Sequence, residues 1–345
     1  MAAPPRNAFM SQTSRQRFLA ALPRKPVDRP PVASPTSIVT LELQQRAGVF
    51  FPEAHRDPAA MAKLALAGHA ICGYDVVFPV FGAGTHEAAA LGVPVDWRDR
   101  NSLPTVTAPI WKHPDEIAIP ADFLERPTIR TVVEAIRLLR AELGDRVGII
   151  GKIYGPWSLA YHTFGLQPFL KATIRDPSYV EAILSRLRPA AVLFGRAQIE
   201  AGADALTLGD HITANLIRPD AYPRFLLEHH RQMARDLPVP LIFHCCGRTL
   251  DRIAYFNESG MAAFHFDSAN DAREMRAKAS MVLIGNVNNM RTLLAGGPED
   301  VRREVFYALD AGVEIIGPEC AVPVEAKLEN IVAVRQAVDK YSRRH

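Results

Sequence analysis

Short apolar runs rich in β-branched residues recur along the chain. Each is followed by a turn and then by a longer stretch in which apolar residues return with helical spacing. Eight runs read as strands: RPPVAS near residue 30, YDVVFPV (74–80), VGIIGKI (147–153), ADALTLG (203–209), VPLIFHCC (239–246), MAAFHFD (261–267), SMVLIGN (280–286) and VEIIGPE (313–319). Helical stretches lie between most of them, including DPSYVEAILSRLRPAAVLFGRAQIEAG, RPDAYPRFLLEHHRQMARDL, GPEDVRREVFYALDAG and the closing VEAKLENIVAVRQAVDKY. Several open on Asp, Pro or Glu and close on Gly or a basic residue, as helix termini prefer. Thr13 with Gln16 three positions on is a capping box ahead of SRQRFLAAL. Strands that alternate with helices require parallel pairing through helical crossovers, and eight such units predict an α/β fold of the (β/α)8 TIM-barrel type. Residues 81–126, rich in Pro and Gly, are expected as an insertion between the second and third strands, residues 1–12 as a flexible arm, and residues 13–345 as one barrel domain.

Composition narrows the partners. With 345 residues, 48% of them hydrophobic, and a net charge of +3, the chain has ample material for a large core and no strong electrostatic bias. Basic residues are neither clustered nor interleaved with aromatics, which argues against nucleic acid. No apolar stretch approaches the ~20 residues that cross a bilayer, and the start lacks a signal-peptide core, so no membrane association and a cytoplasmic location are expected. Four cysteines, two of them adjacent, make no disulfide framework and point instead to buried thiols, metal ligands or nucleophiles.

Barrel active sites form at the C-terminal ends of the strands. His244, Cys245 and Cys246 end the fifth candidate strand, Asp267 the sixth and Cys320 the eighth. Side chains alternate along a strand, so His244 and Cys246 share a face while Cys245 points away to pack. An H-x-C triplet alone is weak, because buried cysteines and core histidines are common. Cys320 at the same mouth changes that: one imidazole and two thiolates make a three-point Zn²⁺ site with its fourth position open, as catalytic zinc requires. Two thiolates already neutralise the dication, so such a site favours making a nucleophilic thiolate over ionising water. Other residues at the predicted mouth are Trp157 in GPWSLA, a candidate floor for a cofactor, and Asp210 and His211 in LGDHIT, candidates for a substrate or cofactor role. Asn286 in IGNVNN is a candidate for phosphate or amide recognition, and Glu87 reads more simply as a helix start.

From about residue 13 to 340 the chain resembles the methylcobamide:coenzyme M methyltransferases, the methanol, methylamine and chloromethane branch of the uroporphyrinogen decarboxylase superfamily. The matching stretches are SRQRFLAAL with KPVDRPPV, GVFFPEAHRDPAAMAKLALAGHAICGYD, HEAAALGVPVDW, GPWSLA, HCCG, IGNV with TLLAGGPEDV, and GPECAVP with LENIVAV. The resemblance implies a uroporphyrinogen decarboxylase-like barrel in which His244, Cys246 and Cys320 hold Zn²⁺. It also implies that an acidic residue at the sixth strand end, matching Asp267, closes the zinc shell until the thiol arrives, with His265 the neighbouring alternative. The implied reaction moves a methyl group from a methylated corrinoid (methylcobamide) to a thiol such as coenzyme M. No D-x-H-x-x-G cobalt-ligating motif is present, so the corrinoid is expected on a separate partner protein. CAVPVEAKLEN departs from the Gly and Ala-Pro turn usual after the last family cysteine, which keeps tetrahydrofolate open as an acceptor. The superfamily's metal-free decarboxylases carry an arginine-bearing segment after the first strand, whereas VASPTSIVTLELQQRAG has none before Arg46. A zinc-bound carrier without turnover is the non-enzymatic alternative.

Overall fold

A computed structural model describes residues 11–344. Among the described residues nine strands occur in chain order: β1 (Val76–Val77), β2 (Val95–Asp96), β3 (Thr105–Val106), β4 (Gly148–Tyr154), β5 (Ala205–Gly209), β6 (Leu241–Cys245), β7 (Ala263–Phe266), β8 (Val282–Val287) and β9 (Ile315–Pro318). Seven of them pair in the order β1-β4-β5-β6-β7-β8-β9, all parallel, with helices on the crossovers. Val32 bridges Ile316 in parallel. The Ala33 N–H donates to the Ile316 carbonyl at 2.9 Å and the Asp75 N–H to the Val32 carbonyl at 2.7 Å, so the segment at Val32 joins β9 to the approach of β1 and closes the ring. This is the TIM barrel of the expected class.

The first predicted strand is therefore reduced to a single bridge. Pro30, Pro31 and Pro35 surround it, and proline cannot donate to a ladder. The capping box forms: Thr13 accepts from the Gln16 N–H and Gln16 accepts from the Thr13 N–H, opening the helix Ser14–Ala21. Of the arm expected over 1–12, residues 1–10 lie outside the described residues, while Gln12 is tied to Asp28 at 3.2 Å. Residues 81–126 hold a short helix, Thr85–Ala90, and the antiparallel hairpin of β2 and β3. Among the described residues no helix is long and apolar enough to cross a membrane.

The N-terminal end of the barrel repeats one device three times. Asp75, Asp204 and Glu314 each stand one position before a strand, β1, β5 and β9. Each accepts a backbone N–H from the neighbouring part of the ring, at Val32 (2.8 Å), Ile149 (2.9 Å) and Leu283 (2.9 Å) respectively. Each is also held by two arginines: Arg17 and Arg29 on Asp75, Arg15 and Arg140 on Asp204, Arg24 and Arg276 on Glu314. A carboxylate supplies acceptors to N–H groups that the ladder leaves over, and paired guanidinium groups make its burial tolerable.

Candidate metal centre

The opposite end is built differently. His244 belongs to β6, Cys246 follows it directly, and Cys320 lies two residues beyond β9. Although β7 and β8 lie between those strands, the three donor atoms converge. His244 Nε2 is 3.1 Å from Cys246 Sγ and 3.4 Å from Cys320 Sγ, and the two sulfurs are 2.8 Å apart. Cys245 is buried on the other face, and burial pushes its thiol up to about 12. Burial first, then the neighbouring His265 and His211 rings and the Lys152 ammonium, hold the His244 imidazole well below the usual histidine range. The hydrogen bond between the two sulfurs lowers the Cys320 thiol and, with burial, raises that of Cys246. All four cysteines are free thiols.

Loop contacts fix these positions. The Gly247 N–H donates to Asp267 Oδ2 at 2.7 Å, which turns the chain straight after Cys246. Glu319 accepts the N–H groups of Ser268 (2.9 Å) and Asn289 (2.7 Å), tying the residue before Cys320 to the loops after β7 and β8. The His265 ring lies against that of His244 with centroids 4.6 Å apart and planes tilted by 30°, and its Nε2–H donates to the Pro318 carbonyl at 2.8 Å.

Several residues expected at the mouth do other work. Asp267 has its second oxygen bonded as well, to the Ala269 N–H at 2.7 Å, so both oxygens shape the loop. Asp210 is fully buried and does not face the mouth: Oδ1 accepts the Ser158 N–H (2.7 Å) and Oδ2 the His230 Nε2–H (2.9 Å). It caps the helix Pro156–Phe164, whose own N-cap, Gly155, has no side chain to do so. A Cβ at Gly155 would lie 1.9 Å from the Asp210 carboxylate, so glycine is required there. Trp157 has no exposed surface; it packs at 4.9 Å on Phe169 and its indole N–H meets Tyr161 Oη, which makes it core and not the floor of a mouth. Asn286 spends its amide on the Asn270 carbonyl at 3.3 Å. Glu87 is buried and accepts the Tyr154 N–H at 2.9 Å, a bracing role in keeping with its place in the helix Thr85–Ala90.

His211 does reach the centre. One of its ring nitrogens lies within 4.8 Å of the donor atoms of His244 and Cys246. Burial, with Lys152 and His162 nearby, pushes it down to about 4, so its imidazole is neutral. Ser158, which the sequence did not single out, grips it twice: Oγ accepts the His211 backbone N–H at 2.9 Å and sits 3.3 Å from Nδ1. Lys152 was also passed over. It lies buried on β4 inside the ring, donating to the Gly82 carbonyl at 3.1 Å with its ammonium 4.9 Å from the Tyr154 ring centroid. Burial pushes the Lys152 ammonium down, against the opposing charges of Cys320, Glu87 and Cys246. The signal was one lysine interrupting the otherwise apolar run VGIIGKI.

The profile of the uroporphyrinogen decarboxylase (URO-D) family matches residues 13–341. The methylcobamide:CoM methyltransferase MtaA of Methanosarcina barkeri is 32% identical over 336 residues, 95% of this chain and 98% of that protein. A solved structure, a methyltransferase from Methanosarcina mazei, superposes with a TM-score of 0.92 at 31% identity, covering 96% of this chain and 99% of that one. The uroporphyrinogen decarboxylase of Coxiella burnetii strain Dugway is 28% identical, the match covering 96% of this chain and 97% of that protein. The profile match over nearly the whole length and the shared barrel place this chain in the uroporphyrinogen decarboxylase family.

Proposed function

We propose that the protein is a zinc-dependent methyltransferase that moves a methyl group from a methylated corrinoid, carried by a partner protein, to a small thiol. The observation that carries this reading is the meeting of one neutral imidazole nitrogen and two sulfurs within 3.4 Å of one another at the barrel mouth. The donor set fits zinc: nitrogen and sulfur are its usual ligands, and His244 Nε2 has no other hydrogen-bond partner among the described residues. Zinc held by His244, Cys246 and Cys320 would supply the Lewis acidity that keeps a bound thiol as thiolate at neutral pH.

The chain's own residues serve that chemistry. His265 and Glu319 fix the stretch that carries Cys320, and Asp267 fixes the turn behind Cys246, so the donors are held in place before any substrate arrives. Two cysteine thiolates and a substrate thiolate exceed the charge of the dication by one, and the buried Lys152 ammonium is the cation that faces this excess. In the transfer itself the sulfur–carbon bond forms as the cobalt–carbon bond breaks, and the electron pair stays on cobalt. The reaction needs sulfur, methyl carbon and cobalt in line, which docking of the corrinoid over the mouth would supply.

Relatives named as coenzyme M methyltransferases support a thiol acceptor over tetrahydrofolate. For the decarboxylase reading, the segment after the first strand offers no cation to substrate carboxylates: residues 34–40 are hydroxyl and apolar, and Arg46 is on the surface, paired with Glu42. The test is loss of methylcobalamin absorbance on incubation with the zinc-loaded protein and, in turn, coenzyme M, homocysteine and tetrahydrofolate. Consumption with a thiol is expected. Consumption only with tetrahydrofolate, or none with any acceptor, would overturn the reading.

A further inference from the structure

The three donors leave one position of a tetrahedral ion unassigned. Both oxygens of Asp267 hold backbone N–H groups, and His265, whose Nε2 donates to the Pro318 carbonyl, is not among the residues whose donor atoms gather within 4.8 Å of one another. His211 differs. It stands just beyond β5, beside β6, where Gly209 is in register with His244 and the Asp210 N–H donates to the His244 carbonyl at 3.2 Å. Its backbone N–H is fixed by Ser158 Oγ at 2.9 Å and its carbonyl by the Tyr161 hydroxyl at 3.0 Å. Ser158 Oγ also faces Nδ1 at 3.3 Å, which leaves Nε2 for the metal side. The ring meets that of His244 edge-on at 5.9 Å.

We propose that His211, through Nε2, is the fourth protein ligand of the metal held by His244, Cys246 and Cys320 while no acceptor is bound, and that the acceptor sulfur displaces it. The proposal rests on the zinc reading above. A ligating imidazole usually donates its other N–H to an oxygen that fixes the ring, and Ser158 Oγ is placed to receive it. A tetrahedral ion with bonds of ~2.0–2.3 Å needs its donors ~3.5 Å apart. At present a ring nitrogen of His211 lies within 4.8 Å of the donor atoms of His244 and Cys246, with Cys320 outside that group, so ligation requires the His211 side chain to swing toward Cys320 while its backbone stays held by Ser158 and Tyr161. The resting site is then closed by a neutral ligand that a thiolate can replace, and the hinge of that exchange is one side chain.

X-ray absorption at the zinc edge on the full-length protein loaded with zinc tests this. The wild type should show two sulfurs and two imidazoles. His211→Ala and His211→Gln should show two sulfurs, one imidazole and one light oxygen ligand at unchanged zinc stoichiometry. Saturating 2-mercaptoethanesulfonate added to the wild type should give three sulfurs and one imidazole, an arm that needs no variant. A wild-type site with a single imidazole, or a second imidazole that survives in the His211 variants or after thiol addition, overturns the assignment. A wild type that binds no zinc fails the underlying reading instead, so the two failures are distinct.

Discussion

The carboxylates at the N-terminal end of the barrel and the His244, Cys246 and Cys320 donors at the other end are buried on different terms. At the N-terminal end each carboxylate has a full set of partners: Asp75 is fully buried yet takes Arg17, Arg29 and the Val32 N–H, all at 2.8 Å. At the C-terminal end His244 Nε2 and the sulfurs of Cys246 and Cys320 have chiefly one another. A group buried with partners contributes to stability, whereas a group buried without them is costly and persists where a ligand completes it. Stability and chemistry are thus separated along the barrel axis, as in other barrels of this class.

Substitutions at the two ends should therefore fail in different assays. The largest effect is expected at Cys246 or Cys320. Replacing either by Ala should remove zinc and lower thiol methylation on the order of 10³-fold, the worth of a Lewis acid supplying several kcal/mol. The urea midpoint should stay close to that of metal-free wild type. Asp75→Ala should do the reverse, costing about 3–5 kcal/mol by stranding two arginines while the folded fraction keeps its zinc. The cost should fall with exposure, to about 1 kcal/mol at Glu314, whose side chain is 21% exposed. Equal losses at both positions would break the comparison.

Smaller effects sharpen it. Zinc at a hundred times its dissociation constant should stabilise the wild type by about 2.7 kcal/mol and leave Cys246→Ala unmoved in urea unfolding. Acid should loosen the N-terminal end last. Burial would raise Asp75, but the bonds and charge of Arg29, the Val32 N–H and the charge of Arg17 overcome it and hold the carboxyl below its ordinary range. Its stability contribution is full above the unfolded carboxyl pKa of ~3.9 and is lost as pH falls through the lower folded value. Burial pushes His86 down to about 4, so its contribution is lost earlier, between the unfolded ~6.5 and that value. Midpoints measured against pH should fall in that order, and Asp75→Asn should flatten only the later fall.

The sequence made the frame and the convergence of His244, Cys246 and Cys320 legible, because both depend on local rules. Apolar runs and helical spacing set seven strands, and alternation with strand-end placement brought the donors to one mouth. The eighth strand shrank for a reason also present in the sequence, three prolines around Val32. Asp210 and Trp157 are buried away from the mouth expected for them because a side chain near a strand end turns toward whichever neighbour has room. Here Gly155 makes room for the Asp210 carboxylate, and the helix that follows buries Trp157. The arginine–carboxylate sets were invisible for another reason: Arg29 and Asp75 are 46 positions apart and Arg24 and Glu314 are 290 apart, distances over which no spacing rule operates.

The central claim, that these three side chains form one metal centre, is tested most directly by elemental analysis of the purified wild type and Cys246→Ala after equilibration with zinc and removal of excess. One zinc per wild-type chain and none in the folded variant is the expected result. Equal zinc in both, or none in the folded wild type, would contradict the account.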